Sequence, residues 1–214
     1  QTSSAEYDGS SWTSGNSMSN QRQNTGSTMC GTQPAALVVG GDQIPSTPRS
    51  LDACEEYDGT NWTAGGAYPT VIQNTAAAGT QTAGWAAGGT IDSNPGTANT
   101  FTNATNEYNG SSWTAGGALP AVVFRAGAAG TDTAGLIFSG TPNGPTNIAT
   151  TFGYDGSSWS TRPNMATARQ SVGAGGVSSP STAAIGAGGY VTPGTTASTE
   201  EFTASANIIT GGAW

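Results

Sequence analysis

One heptapeptide constrains this chain more than any other feature, because it returns at a nearly fixed interval. Glu6-Tyr7-Asp8-Gly9-Ser10-Ser11-Trp12 comes back as Glu56-Tyr57-Asp58-Gly59-Thr60-Asn61-Trp62 and as Glu107-Tyr108-Asn109-Gly110-Ser111-Ser112-Trp113. A fourth copy is Gly153-Tyr154-Asp155-Gly156-Ser157-Ser158-Trp159, and a weaker fifth is Glu201-Phe202-Thr203 with Ile208 in place of the Trp. The anchors Tyr7, Tyr57, Tyr108, Tyr154 and Phe202 are spaced by 50, 51, 46 and 48 residues. Self-similarity at such a period marks a repeat architecture, in which each unit buries its faces against its neighbours.

Each unit parses into four short strands. In the unit at 73–120, a run of small residues ends at Gly79-Thr80, and a second apolar run, Ala83 to Ala87, closes at Gly88-Gly89. A polar loop leads to a strand ending at Tyr108, Asn109-Gly110 signals a tight hairpin, and Trp113 opens a fourth strand. Gly40-Gly41 and Gly188-Gly189 repeat the paired glycines, with Ser139-Gly140 in the remaining slot. Four antiparallel strands per ~50 residues is the blade pattern of a β-propeller. The expected fold is therefore all-β, with repeats at about 1–19 (a half), 20–68, 69–119, 120–164 and 165–214. No segment holds a 3.6-residue apolar period, so no long helix is expected.

Composition supports this reading. Leu, Ile, Val and Phe make up only about 12% of the chain, yet charged residues are 8% and the net charge is −8, so little repulsion holds the chain open. Ala and Gly must then supply buried surface, and runs such as 76–79, 126–130 and 173–176 suit inner strands crowded at a central axis. Trp62, Trp113 and Trp159 each open an outer strand at one repeat position, and all three are expected to be mostly buried between adjacent blades. Cys30 and Cys54 are placed on strands two apart in one blade. Such strands stand ~9–10 Å apart, so a direct disulfide is not expected.

The order of apolar strand, Gly-Gly, polar gap, Glu-Tyr and then Trp resembles the kelch repeat. Arg22, Arg125 and Arg169, with Gln73 in the second unit, are read as one further slot of that pattern, holding neighbouring strands or loops together. The wording Tyr-Asp-Gly-Ser-Ser-Trp-Thr-Ala-Gly-Gly-Ala-Leu-Pro also resembles repeats in structural proteins of marine bacteriophages. That resemblance implies a virion-surface or extracellular setting.

Chemistry-bearing residues are sparse. There is no His, which removes the usual general base and the commonest metal ligand. Each Asp-Gly or Asn-Gly turn holds one side-chain oxygen donor group, too few for a calcium loop, so hairpin geometry is the reading. Glu55-Glu56 and Glu200-Glu201 are expected to be solvent-facing edge residues. The sequons at Asn61, Asn103 and Asn109 are read as incidental. No catalytic, cofactor-binding or metal site is expected. A pI near 4.1 with five Lys plus Arg argues against nucleic acid, and no apolar run reaches a membrane span.

The loops between Gly-Gly and the next aromatic anchor share one rim with the inter-blade crossings, and binding variation concentrates in such loops. Candidate rim residues are Asp42, Gln43, Asp92, Asn94, Asn143, Asn147, Tyr190 and Thr192. Their polar, uncharged company suits a protein or glycan surface. Three functions compete: a virion-surface or tail-associated receptor-binding or structural module, a secreted bacterial adhesion or carbohydrate-binding propeller, and an oxidase- or sialidase-like enzyme. The first is preferred.

Five aromatic half-blades face only four Gly-Gly halves. The missing strands are therefore expected from chain beyond residues 1 and 214 or from a neighbouring subunit. The alternative is a four-bladed ring with one terminal half displaced as a flap or contact arm. Gln1 in place of Met fits a processed chain or a piece of a longer one.

Overall fold

The computed structural model describes residues 2–25, 29–43, 49–91, 99–175 and 182–203. These residues form an all-β, four-bladed propeller without helices. Blade I consists of Met29–Thr32, Ala35–Val39, Cys54–Tyr57 and Trp62–Ala64, paired antiparallel in that order. Blade II repeats it with Ala76–Thr80, Ala83–Ala87, Thr105–Tyr108 and Trp113–Ala115. Blade III uses Gly127–Thr131, Ala134–Phe138, Thr151–Tyr154 and Trp159–Arg162. Blade IV shows Gly173–Gly175, Ala183–Ala187 and Thr199–Thr203, and the expected fourth strand falls on 204–214, outside the described residues. A two-stranded sheet, Ala5–Tyr7 with Trp12–Ser14, precedes blade I.

The small-residue runs take the innermost positions, and the inner strands of successive blades pack side by side from blade I to blade IV. Large side chains fill the gaps further out. Between blades II and III lie Trp85, Leu119, Ile137, Phe152, Tyr154 and Trp159. Leu37, Val39, Ile72, Tyr68 and Tyr108 fill the preceding gap, and Leu136, Phe138 and Val172 the following one. Trp85, which the repeat reading does not single out, is fully buried and donates from Nε1 to Thr131 O at 2.9 Å. Gly135 makes room for it, since a Cβ there would stand 2.7 Å from that nitrogen.

The hairpin reading of the Asp-Gly pairs holds. Asp8 Oδ1 accepts from the amides of Ser10 and Ser11 at 2.7 and 2.8 Å, and Asp155 Oδ1 repeats this with Ser157 and Ser158 at 2.9 and 2.7 Å. Those bonds pull both carboxyls far below the usual range. Cys30 and Cys54 are buried and unbridged, as their strand positions require.

The repeat tryptophans Trp62, Trp113 and Trp159 are mostly buried, as expected, but not equally. Trp159 is 9% exposed, while Trp62 and Trp113 are half-buried. All three nonetheless reach the preceding blade or sheet. Trp159 Nε1 donates to Thr105 Oγ1 at 2.9 Å, Trp113 Nε1 to Gly66 O at 3.0 Å, and Trp62 Nε1 to Ser4 Oγ at 3.3 Å. The difference follows from how much apolar surface the neighbour offers. Trp159 meets Trp85 edge-on at 5.2 Å, whereas Trp62 meets a two-stranded sheet. Trp12 has no blade before it among the described residues and is 70% exposed.

Candidate functional site

Blade geometry sorts the connections onto two faces. The first-to-second-strand turns and the Asp-Gly hairpins lie at one end of the strands. The Gly-Gly loops and the inter-blade crossings lie at the other, where antiparallel bridges join Gln23 to Asp42, Gln73 to Thr90, Phe124 to Thr141 and Gln170 to Tyr190. In blades I to III the hairpin face is built from two-residue turns between the first and second strands and from Asp-Gly or Asn-Gly hairpins, while the longer connections of those blades lie on the loop face.

Two carboxylates expected at the surface are instead part of the frame. Glu55 is buried and pairs with Arg22 at 2.8 Å, and it accepts from the amide and hydroxyl of Ser19 at 2.7 and 2.6 Å. Burial alone would raise its carboxyl; Ser19 and then Arg22 outweigh that and hold it at about 2. Glu200 pairs with Arg169, whose guanidinium also donates to Gly188 O and Ser198 O at 3.0 and 2.9 Å. Arg22 binds the matching acceptors in blade I, Gly40 O and Ala53 O. The strand pleat puts one Glu of each pair inward, and Arg22 and Arg169 wait there. Of the partners, Glu56 accepts a hydrogen bond from Tyr108 OH, and Glu201 is exposed. Tyr57 to Glu6 and Tyr154 to Glu107 complete a series of hydrogen bonds across successive gaps. The bond to Glu6 first, then burial, pushes the Tyr57 hydroxyl up to about 12.

The arginine slot also needs correction. The backbone N–H of Gly41, Gly89 and Gly140 donates to the carbonyls of Ile72, Val123 and Arg169, which are therefore equivalent positions, with Arg22 one blade earlier. Arg125 lies two residues after Val123 and is equivalent to Asn24, Asn74 and Ser171. In chain order, Asn24, Asn74, Arg125 and Ser171 share a left-handed backbone with φ of 58°, 54°, 55° and 53°. Each of the last three donates its N–H to the carbonyl of the one before, at 3.4, 3.1 and 2.8 Å. The spacing of the aromatic anchors held the signal: steps of 50, 51 and 46 from Arg22 reach Ile72, Val123 and Arg169, not Arg125.

This series of residues surrounds a cavity of about 490 Å3 at the axis, opening on the loop face and lined by Asn24, Asn74, Thr75, Arg125, Ser171 and Val172 among others. Arg125 is exposed. Its guanidinium meets Gln170 Oε1 at 3.4 Å and lies 5.6 Å from the Phe124 ring centre. Gln170 Nε2 is held by Gly144 O at 3.2 Å, so its oxygen is left facing Arg125.

The candidate rim residues separate into groups. Asn147, Tyr190 and Thr192 come together, Asn147 Nδ2 donating to Tyr190 O at 3.0 Å and to Thr192 Oγ1 at 3.5 Å. Tyr190 and Thr192 are exposed, as is Asn143, whose Oδ1 caps the Thr146 amide at 3.2 Å. Asp42 is buried: its carboxylate holds Gln23 at 2.9 Å and Arg49 at 3.2 Å, so it organises its loop. Gln43 is half-buried beside it, its amide bonded to Arg49 O. Asp92 and Asn94 lie outside the described residues.

Among the described residues no three His, Cys, Asp or Glu side chains stand close enough to hold a metal. Burial pushes the Cys30 thiol up to about 12 and the Cys54 thiol to about 11, so both stay protonated near neutral pH. Among the described residues no helix is long and apolar enough to cross a membrane. No protein-family model matches the chain, and no curated protein matches it.

Proposed function

We propose that this chain is a non-enzymatic binding propeller, related to kelch repeats, that works on a virion surface or tail and contacts a host receptor or neighbouring virion protein through its loop face. The observation that carries the reading is the division of labour between the faces. In blades I to III the long, variable, polar loops lie on one of them, and those loops are tied by backbone bridges around an axial mouth. A rigid scaffold presenting variable loops is the usual arrangement of a recognition surface. The virion setting draws its support from the repeat wording alone.

The reading as a binder rests on how the ionisable groups are spent. Arg22, Arg169, Glu55 and Glu200 are ion-paired inside blades, Glu6, Glu56 and Glu107 accept tyrosine hydroxyls, and both thiols are buried. A general acid or base needs a titratable group free to meet a substrate, and these groups are engaged elsewhere.

One observation favours the second reading, a secreted bacterial adhesion or carbohydrate-binding propeller. The axial mouth carries the amides of Asn24 and Asn74 and the hydroxyl of Ser171 beside apolar surface, a mixture that matches the hydroxyls and ring faces of a sugar. The test is retention of the fluorescently labelled chain on an array of neutral and acidic saccharides and on intact bacterial cells. Selective retention on cells or on a subset of sugars is expected. Retention on neither contradicts the binding reading.

A further inference from the structure

Arg125 departs from the local rules of its position. Residues other than Gly at positive φ are uncommon, and Asn is among those best suited to it. Asn24 and Asn74 obey that preference, while the equivalent place in the next blade carries an arginine at φ 55°. Departures of this kind tend to occur where a site has a use for the side chain. The charge forms no ion pair within the fold, its neighbours being the Phe124 ring and the Gln170 oxygen. Arg22, Arg49 and Arg169 are ion-paired, whereas no carboxylate among the described residues pairs with Arg125. Asp42, whose Oδ2 reaches the lining residue Asn24 at 3.4 Å, is already engaged by Arg49 and Gln23.

The guanidinium is nonetheless positioned. Gln170, oriented by Gly144 O, meets Nη1, and the Phe124 ring lies beside it. A guanidinium has five N–H donors in a planar fork suited to a carboxylate. One is engaged by Gln170, leaving the others for a ligand. Around it Asn24 and Ser171 are exposed and Asn74 is half-buried. Asn24 Nδ2 already donates to Asp42 Oδ2 and Gln73 Oε1, both at 3.4 Å, so Asn24 offers its Oδ1 as an acceptor, while Asn74 and Ser171 can donate to and accept from sugar hydroxyls. Thr75 is already engaged, its Oγ1 donating to Ala87 O at 3.0 Å. The cavity of about 490 Å3 has room for a small saccharide unit, and its lining mixes the polar side chains with the apolar surface of Val172, Gly173 and Ala174, which suits the two-sided character of a sugar ring.

We infer that the axial mouth binds an acidic saccharide, with the sugar carboxylate on Arg125 and the ring hydroxyls on Asn24, Asn74 and Ser171. This deepens the carbohydrate reading above and rests on it. On a chain of net charge −8, an arginine with no acidic partner at the mouth supplies the local attraction that the surface as a whole lacks.

The test is an amide-resonance titration of the full chain with glucuronate, glucose and acetate. Glucuronate is expected to shift Asn74, Arg125 and Ser171, with glucose and acetate far weaker. R125N installs the residue already present at the two equivalent positions, so the fold is kept while the fork is lost. It is expected to weaken glucuronate about tenfold or more, and R125K to restore only part of that. R162Q, on an outer strand, should bind as the parent does. Glucuronate binding unchanged in R125N overturns the assignment, and acetate binding as tightly as glucuronate overturns its saccharide part. Shifts on Asn143, Asn147 and Tyr190 without axial shifts also overturn it, but leave the carbohydrate reading standing. No shift with any sugar removes both.

Discussion

Replacing Trp159 and Trp12 by Ala, one at a time, separates packing between blades from anything intrinsic to the repeat motif, because both indoles occupy the same repeat position. Trp159 is 9% exposed and Trp12 is 70% exposed. A buried indole removes ~150–250 Å2 from water. At about 25 cal/mol per Å2, the near-complete burial of Trp159 contributes about 4–5 kcal/mol. Its Nε1–H bond to Thr105 Oγ1, at 2.9 Å, adds about 1 kcal/mol. Part of this survives in the Ala side chain and part is recovered as the site relaxes, so W159A is expected to cost about 3–5 kcal/mol. The same bookkeeping for the small covered share of Trp12 gives about 1 kcal/mol for W12A. Urea unfolding followed by circular dichroism measures both, and W62A and W113A should fall between them. W12A as damaging as W159A would refute the account, since the indole's contribution would then come from its own hairpin rather than the neighbouring blade.

Further outcomes are expected at the frame. Glu55 titrates at about 2 in the folded chain against an ordinary 4.5, so its contribution to stability is full above 4.5 and is lost as pH falls towards 2. E55Q should therefore flatten the pH dependence of the unfolding midpoint in that window, while R22M, which strands the buried carboxylate, should cost about 3–5 kcal/mol at neutral pH. Cys30 and Cys54 should fail to react with a thiol reagent at pH 8 until the chain is unfolded, and then titrate as two free thiols. Ser139 holds φ 61° where its equivalents are glycines, and its buried hydroxyl lacks a partner. S139G should therefore stabilise the chain by about 1 kcal/mol in the same urea assay.

The fold was legible because its period is carried by residues with strong local meaning. Asp-Gly and Asn-Gly turns, paired glycines and alanine-rich runs mark the hairpins, loop starts and inner strands directly. What was not legible depends on contacts across tens of residues. Glu55 reads as an edge residue until the strand pairing brings Arg22 to its buried side. Trp62 and Trp159 look alike in sequence, and only the size of the neighbouring surface separates them. At the axial mouth the obstacle was register: Arg125 lies two residues beyond the slot of Arg22 and Arg169, and that shift moves it from the ion-paired frame to an open cavity. Trp85 has no counterpart at its position in the other repeats, so periodicity could not single it out.

The most direct test of the central claim, that recognition belongs to the loop face, is to block each face in turn. With both native thiols buried, a single cysteine can be placed at Asn143 on the loop face or at Ser157 on the hairpin face and coupled to a bulky polyethylene glycol maleimide. Both positions are exposed. Binding is then read on the arrayed saccharides or cells that retain the unmodified chain. The account predicts that the polymer at position 143 abolishes retention and that at position 157 leaves it intact. Retention lost from position 157 and kept at position 143 would contradict it.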